Sequence, residues 1–349
     1  MMQASAAERE QTAQIFLQQA GWTGAQVELL AADASFRRYF RVFGSRETAI
    51  LMDAPPQKEN AEAFLRIAEQ LVGLGLSAPR CLARDLKQGF LLLEDFGDRT
   101  FTRVLDEGAS ETQLYDLAVD TLAALHTRWP DSSKPETLPA YDLQKLLDEA
   151  ALFIDWYLPS AGIRLPDQAR RTYLALWQEL LEPVLQDDSL PHVLVLRDYH
   201  VDNLMILPGR NGPAACGLLD FQDAVIGPPA YDLVSLLRDA RRDVPAGLQA
   251  RALERYLSAC PEWPRVSFER AYWILGAQRN AKIIGIFTRL AQRDGKPRYL
   301  AHLPRLWRLL EEELSRPDLA ALRVWFDEQV PASARHSANL KSAVTGVST

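Results

Sequence analysis

Two stretches decide the reading: Leu196-Arg197-Asp198-Tyr199-His200-Val201-Asp202-Asn203, and Gly217-Leu218-Leu219-Asp220-Phe221. The first sets an Asp, and five residues later an Asn, directly ahead of an apolar run from Leu204 to Leu207. The second closes another apolar run, Cys216 to Leu219, with an Asp. Between the runs lies Pro208-Gly209-Arg210-Asn211-Gly212-Pro213, a composition that favours turns. The spacing predicts a β-hairpin with a long loop. A hairpin brings its two ends together, so Asn203 and Asp220 are expected at one point. An amide oxygen and a carboxylate are hard ligands suited to Mg²⁺. Asp198, on the loop before the hairpin, can accept a hydroxyl proton. Phosphoryl transfer from ATP needs that set: an aligned acceptor hydroxyl and cations on the phosphate oxygens.

Towards the N-terminus the chain reads as a small mixed lobe. Ser5 and Glu8 form a capping-box pattern, and the helix they open carries Ile15 and Phe16 on one face and stops at Gly21. Strand-like stretches follow at Val27 to Ala31, Arg38 to Phe43 and Thr48 to Met52, with Gly44-Ser45 as a turn. Ala61 to Leu74 has helical spacing, with Phe64, Ile67, Leu71 and Leu74 on one face. An apolar strand, Phe90 to Leu93, leads into Glu94-Asp95-Phe96-Gly97. Beyond Gly97 the pattern is mainly helical, with helices expected over Glu111 to Arg128, Asp148 to Leu158 and Asp167 to Leu185, and again from Pro229 to about Gln329. The expected division is a lobe over 1–96, a larger one over 97–330, and a frayed, Ser- and Ala-rich tail over 331–349.

Composition narrows the class. A chain of 349 residues exceeds one ordinary core and suggests two lobes. The formal net charge of −7 argues against a nucleic-acid partner. Cys81, Cys216 and Cys260 are widely spaced and form no CxxC pair, which argues against a disulfide framework and structural zinc. The polar N-terminus has no signal-peptide run, and no apolar stretch approaches a membrane span. A cytoplasmic protein without membrane partners is expected.

With these residues in hand, a family resemblance emerges. Asp198 to Asn203, with His200, resembles the DxHxxN segment of the aminoglycoside phosphotransferase and choline kinase superfamily. Asp220-Phe221 resembles its metal-binding Asp step, Pro229-Ala230-Tyr231-Asp232-Leu233 its following helix start, and Glu94-Asp95-Phe96 its hinge. The likeness covers roughly residues 25 to 310. It implies an α+β, bilobal, protein-kinase-like fold with a small β-rich N-lobe and a larger helical C-lobe. It also implies ATP and Mg²⁺, with Asp198 catalytic and Asn203 and Asp220 on the metal. Ser35 and Arg38, in and after the first strand turn, are expected near the nucleotide phosphates, and the hinge from Glu94 to Phe96 near adenine. Asp232 is expected to brace the catalytic loop, and His126 to have a core or interlobe role.

The sequence departs from the superfamily in two places. Leu196 stands where a His is usual. The third strand, Thr48-Ala49-Ile50-Leu51-Met52, lacks the usual lysine, and Phe64 occupies the expected place of its helix glutamate, flanked by Glu62 and Glu69. Another cation must then meet the phosphates; Arg37, Arg38, Arg41 and Lys58 are the candidates. The segments around Asp33 to Arg41, Leu51 to Pro56 and Leu196 to Asn203 resemble most the bacterial anomeric kinases of cell-wall recycling, which also lack that lysine. That likeness implies phosphorylation at the C1 hydroxyl of N-acetylmuramate and N-acetylglucosamine. Arg197, His200, Gln222, Asp223, Arg241 and Arg279 are the candidate acceptor contacts, with Arg238 a further cation for the muramate carboxylate. Another small-molecule kinase of the superfamily and a nucleotide-binding pseudokinase stay open as alternatives.

Overall fold

Alternating apolar residues and tight turns build a five-stranded antiparallel sheet near the N-terminus. Its strands are β1 (Gln26–Ala32), β2 (Arg38–Phe43), β3 (Thr48–Asp53), β4 (Cys81–Asp85) and β5 (Phe90–Glu94), in the order β1-β2-β3-β5-β4. The computed structural model describes residues 6–32, 36–45, 47–129 and 138–335. Its contacts define two compact units, Met1–Thr121 with Val201–Asp223, and Leu122–His200 with Ala224–Thr349.

In the first unit, helix α1 (Ala6–Gln19) sets Phe16 and Leu17 on Val42, Ala49, Leu51, Phe90 and Leu92 of the sheet. Helix α2 (Ala61–Gly73) starts at Asn60, whose side chain accepts the N–H groups of Glu62 and Ala63. Its buried face carries Phe64, Leu65, Ile67 and Leu71. Phe64 stacks on Phe221 with centroids 4.9 Å apart. The position expected for a helix glutamate is thus an aromatic prop beneath the residue that follows Asp220. Helices α3 (Phe101–Asp106) and the start of α4 (Glu111–Arg128) complete this unit. The predicted hairpin is present, with Leu204–Ile206 antiparallel to Cys216–Leu218 and Leu204 opposite Leu218. Ser5 and the Asp33-Ala34-Ser35 turn lie outside the described residues.

The second unit is helical around one long element. Helix α5 (Leu143–Leu152), capped by Asp142, runs through a π turn at Phe153–Tyr157 into α6 (Leu158–Ser160), an earlier start than the expected Asp148. Then come α7 (Asp167–Leu185), α8 (Ala230–Leu237), α9 (Ala246–Ala259) and α10 (Arg265–Gln292), followed by α11 (Leu303–Leu314) and α12 (Ala320–Gln329). Helix α10 buries residues on every side from Phe268 to Leu290, so no amphipathic stripe survives in it. Phe153 of the π turn packs on Trp307 and Phe326. Within the segment expected as a tail, Ala332–Arg335 forms a helical turn (α13) and Arg335 donates to the Phe326 and Val330 carbonyls. Residues 336–349 lie outside the described residues.

Gly285 lets α10 meet the backbone where the π turn begins. A Cβ there would stand 2.3 Å from Leu152 C and 2.7 Å from Phe153 N. Gly→Ala inside a helix usually stabilises by about 1 kcal/mol. Here the sign should reverse. Gly285→Ala is expected to cost about 1–3 kcal/mol through backbone overlap, read as a lower urea midpoint. An unchanged or raised midpoint would show that the two backbones separate freely.

Candidate active site

Asp198 and its surroundings belong to the second unit; Asn203 and Asp220 belong to the first. The loop bearing Asp198 follows the short strand Val193–Val195, which pairs with Val225–Gly227. Arg197, just before Asp198, has a left-handed φ of 70°. For a residue with a Cβ that conformation costs roughly 1–2 kcal/mol. Asp232, fully buried in α8, offsets the cost: its carboxylate accepts the Leu196 N–H at 2.6 Å and the Arg197 N–H at 2.9 Å. The brace expected of Asp232 is present. It acts from inside the helix, and Pro229, at the helix cap, makes no side-chain bond. Burial pushes the Asp232 carboxyl up to about 7, against the opposing pull of the two N–H bonds and Arg279.

Within the loop, the Asp198 N–H donates to Leu196 O at 2.9 Å and the His200 N–H to Asp198 O at 3.2 Å. The Asp198 residue is exposed. Desolvation by its crowded surroundings works to raise its carboxyl, but the charges of His200, Lys282, Arg279 and Arg197 outweigh it and hold it below the ordinary Asp value. Burial pulls His200 itself below its usual value. The result is an accessible, ionised carboxylate, able to orient a hydroxyl and accept its proton.

The cations behind it are fixed in turn. Glu149 of α5 binds Arg197 Nη2 at 2.5 Å through Oε1 and Lys282 Nζ at 3.0 Å through Oε2. Tyr141 donates its hydroxyl to Glu149 Oε2 at 2.5 Å. Arg197, expected at the acceptor, is therefore part of a structural ion network. Arg279, 3% exposed, donates to Ser235 Oγ at 2.7 Å. Arg241 Nη1 lies 3.4 Å from His200 Nε2. Arg238, 1% exposed, is tied to Glu312 and Glu313 of α11. His126 is buried, with Nδ1 2.5 Å from the Tyr256 hydroxyl, and burial lowers its pKa to about 3.

In the first unit the hairpin register brings Asn203 and Asp220 to one end. Asn203 Nδ2 lies 3.5 Å from Asp220 Oδ2, and the Leu219 N–H donates to Asn203 O at 3.0 Å. Asp220 has a left-handed φ of 59°, a conformation that Asp tolerates better than most residues. Gln222 donates to Asp220 Oδ1 at 2.9 Å and to Asp223 Oδ2 at 3.2 Å, so these two expected acceptor contacts sit around the Asp220 carboxylate. Among the described residues no cluster of three or more His, Cys, Asp or Glu could cage a metal. One amide and one carboxylate suit Mg²⁺, which keeps waters and takes phosphate oxygens alongside one or two protein carboxylates.

The expected nucleotide contacts have mixed placements. Ser35 lies outside the described residues. Arg38 is paired with the buried Asp53 at 2.7 Å, alongside Arg9 on the other carboxylate oxygen. Arg41 is held by Asp95 and Asp98, each at 2.8 Å, and Lys58 stands 3.9 Å over the Phe36 ring. Arg37 faces Asp220 at 3.7 Å, Asp223 at 4.0 Å and Glu59 at 3.6 Å. At the hinge, Glu94 binds Arg210 at 2.5 Å and Arg80 at 3.0 Å, and its N–H donates to Arg80 O. Phe96 packs so closely on Gly217 that a Cβ there would come within 2.8 Å of its ring.

The Asp232 brace yields a direct test. Asp232→Asn replaces one acceptor oxygen with an NH₂, so one of the Leu196 and Arg197 N–H groups loses its partner. A loss of about 1–3 kcal/mol is expected, with faster hydrogen exchange at Leu196 and Arg197. Unchanged exchange at both amides would refute the brace.

Residues 26–268 match the phosphotransferase enzyme family. A Caulobacter vibrioides protein named N-acetylmuramate/N-acetylglucosamine kinase is 38% identical over 94% of this chain and 98% of its own. A Pseudomonas aeruginosa protein of the same name is 41% identical over 84% of this chain and 85% of its own. In fold the chain is similar to wild-type aminoglycoside 2′-phosphotransferase-IIIa in its GDP complex, with a TM-score of 0.56 at 17% identity over 87% of this chain and 97% of that one. It is also similar to choline kinase LicA from Streptococcus pneumoniae, with a TM-score of 0.56 at 15% identity over 90% and 99% of the two chains. The fold is thus the bilobal α+β fold of the aminoglycoside phosphotransferases, and the chain belongs to the phosphotransferase enzyme family.

Proposed function

We propose that this protein is a sugar 1-kinase: it transfers the γ-phosphoryl group of ATP to the anomeric hydroxyl of N-acetylmuramate and N-acetylglucosamine, returning cell-wall sugars to use. The observation that carries the reaction type is the Asp198 carboxylate, exposed and held ionised on a braced loop. The acceptor is inferred from the curated relatives, three of which are matched over more than four fifths of both chains.

Asp198 orients the C1 hydroxyl and takes its proton as the sugar oxygen bonds to the γ-phosphorus and the bond to the β-phosphate oxygen breaks. Asn203 and Asp220 would hold Mg²⁺, which supplies positive charge to the phosphate oxygens. Gln222 keeps the Asp220 carboxylate oriented for that task. His200, Arg241 and Arg279 are proposed as acceptor-side residues, with Arg197 acting through its support of the loop. Ser35, Glu94 and Phe96 remain proposed nucleotide contacts. By chemistry, residues 1–96 serve the nucleotide and 97–330 serve catalysis and substrate, a division distinct from the compact units.

We propose the cytoplasm as the site of action, where ATP is supplied. The three cysteines are free, as a reducing compartment favours. No helix among the described residues is long and apolar enough to cross a membrane.

Two measurements test this reading. Asp198→Asn should remain folded, bind ATP and lose about 10²- to 10⁴-fold in transfer rate; near wild-type turnover would remove Asp198 from the chemistry. Phosphorus NMR of the products should show a sugar 1-phosphate from N-acetylglucosamine and none from its 1-O-methyl glycoside. Equal phosphorylation of the glycoside would leave a kinase acting at another hydroxyl.

A further inference from the structure

Strand β3 carries Thr48, Ala49, Ile50, Leu51, Met52 and Asp53, and so offers no cation to a nucleotide. The sequence offers four candidate cations in its place: Arg37, Arg38, Arg41 and Lys58. Three of them have close partners elsewhere. Arg38 bonds Asp53 at 2.7 Å, Arg41 bonds Asp95 at 2.8 Å, and exposed Lys58 lies over Phe36.

Arg37 is different. It is 7% exposed, and its guanidinium is set among the carboxylates of Asp220, Asp223 and Glu59. These ion pairs span 3.6 to 4.0 Å. Glu59 is itself anchored. It immediately precedes Asn60, the cap of α2, and its Oε1 accepts the Phe36 N–H at 3.0 Å. One glutamate therefore holds both the guanidinium and the backbone of the residue before it. A guanidinium 3.7 Å from the carboxylate proposed to hold Mg²⁺ is within reach of the phosphates that share the ion.

We infer that Arg37, anchored by Glu59, is the cation that contacts the β- and γ-phosphates of the nucleotide. The inference rests on the kinase reading given above. Arginine suits the task because its planar fork binds phosphate oxygens in pairs. On nucleotide binding, the long contacts of Arg37 to Asp220 and Asp223 give way to phosphate oxygens, while Glu59 keeps the side chain in place. The arginine–glutamate pair then supplies what β3 lacks, from the other side of the β1–β2 turn.

Calorimetric titration of the full chain with ATP, ADP and adenosine, in Mg²⁺ buffer, tests this. Arg37→Met should weaken ATP and ADP about ten- to hundredfold while leaving adenosine unchanged. Arg37→Lys, which keeps the charge and loses the fork, should fall between the two, and Glu59→Gln should weaken ATP by a smaller factor than Arg37→Met. ATP binding by Arg37→Met equal to wild type would overturn the inference and leave the kinase reading intact. An equal loss for adenosine and ATP would also overturn it, because that pattern marks a structural role. If Arg37→Met does not fold, Arg37→Lys decides alone: wild-type ATP affinity with lysine would exclude a bidentate contact. A wild-type chain that binds no nucleotide would overturn the kinase reading itself.

Discussion

The loop that carries Asp198 depends on two hydrogen bonds, those that Asp232 accepts from the amides of Leu196 and Arg197. They fix the two amides that lead into Arg197, whose left-handed φ then sets the direction in which Asp198 leaves the loop. A buried carboxylate is costly unless it is hydrogen-bonded. Here the cost fixes the position of a second carboxylate one residue beyond the bonds. The loop is held through its backbone, and the Leu196 side chain is left to fill the core at 3% exposure.

Charge is organised in layers behind Asp198. Glu149 collects Arg197 and Lys282, and Tyr141 donates to the same carboxylate. Removing one partner of such a network leaves an uncompensated charge in the interior, typically worth 3–5 kcal/mol. The network therefore keeps its cations fixed, and with them the field that holds Asp198 ionised. In the first unit the equivalent economy is at Asp220, where Gln222 and Arg37 address Oδ1 and Asn203 approaches Oδ2.

Much of this was legible in the sequence, and the reason is locality. The hairpin, Asn203 and Asp220 follow from turn residues flanked by apolar runs, and the helix over Glu111–Arg128 from its periodic pattern. Strand β4 was not foreseen because it is a mostly exposed edge strand whose sequence, Cys-Leu-Ala-Arg-Asp, shows no alternation of apolar and polar residues. The pairing of Val193–Val195 with Val225–Gly227 is three residues long and carries no alternation to read. The site partners that went unseen are those contributed by distant segments. Glu149 lies 48 residues from Arg197, and Arg210 lies 116 residues from Glu94. Arg38 was expected at the phosphates because it stands beside the turn. Strand alternation and the buried Asp53 direct its guanidinium elsewhere, whereas the adjacent Arg37 is aimed at Asp220.

The central claim is that Asp198 serves an anomeric hydroxyl. A crystal structure with a non-hydrolysable ATP analogue, Mg²⁺ and N-acetylglucosamine tests it most directly. The account predicts the C1 hydroxyl within about 2.6–3.2 Å of the Asp198 carboxylate, with the γ-phosphate facing that oxygen. A sugar bound with a different hydroxyl at Asp198, or with Asp198 turned away from the sugar, would contradict it.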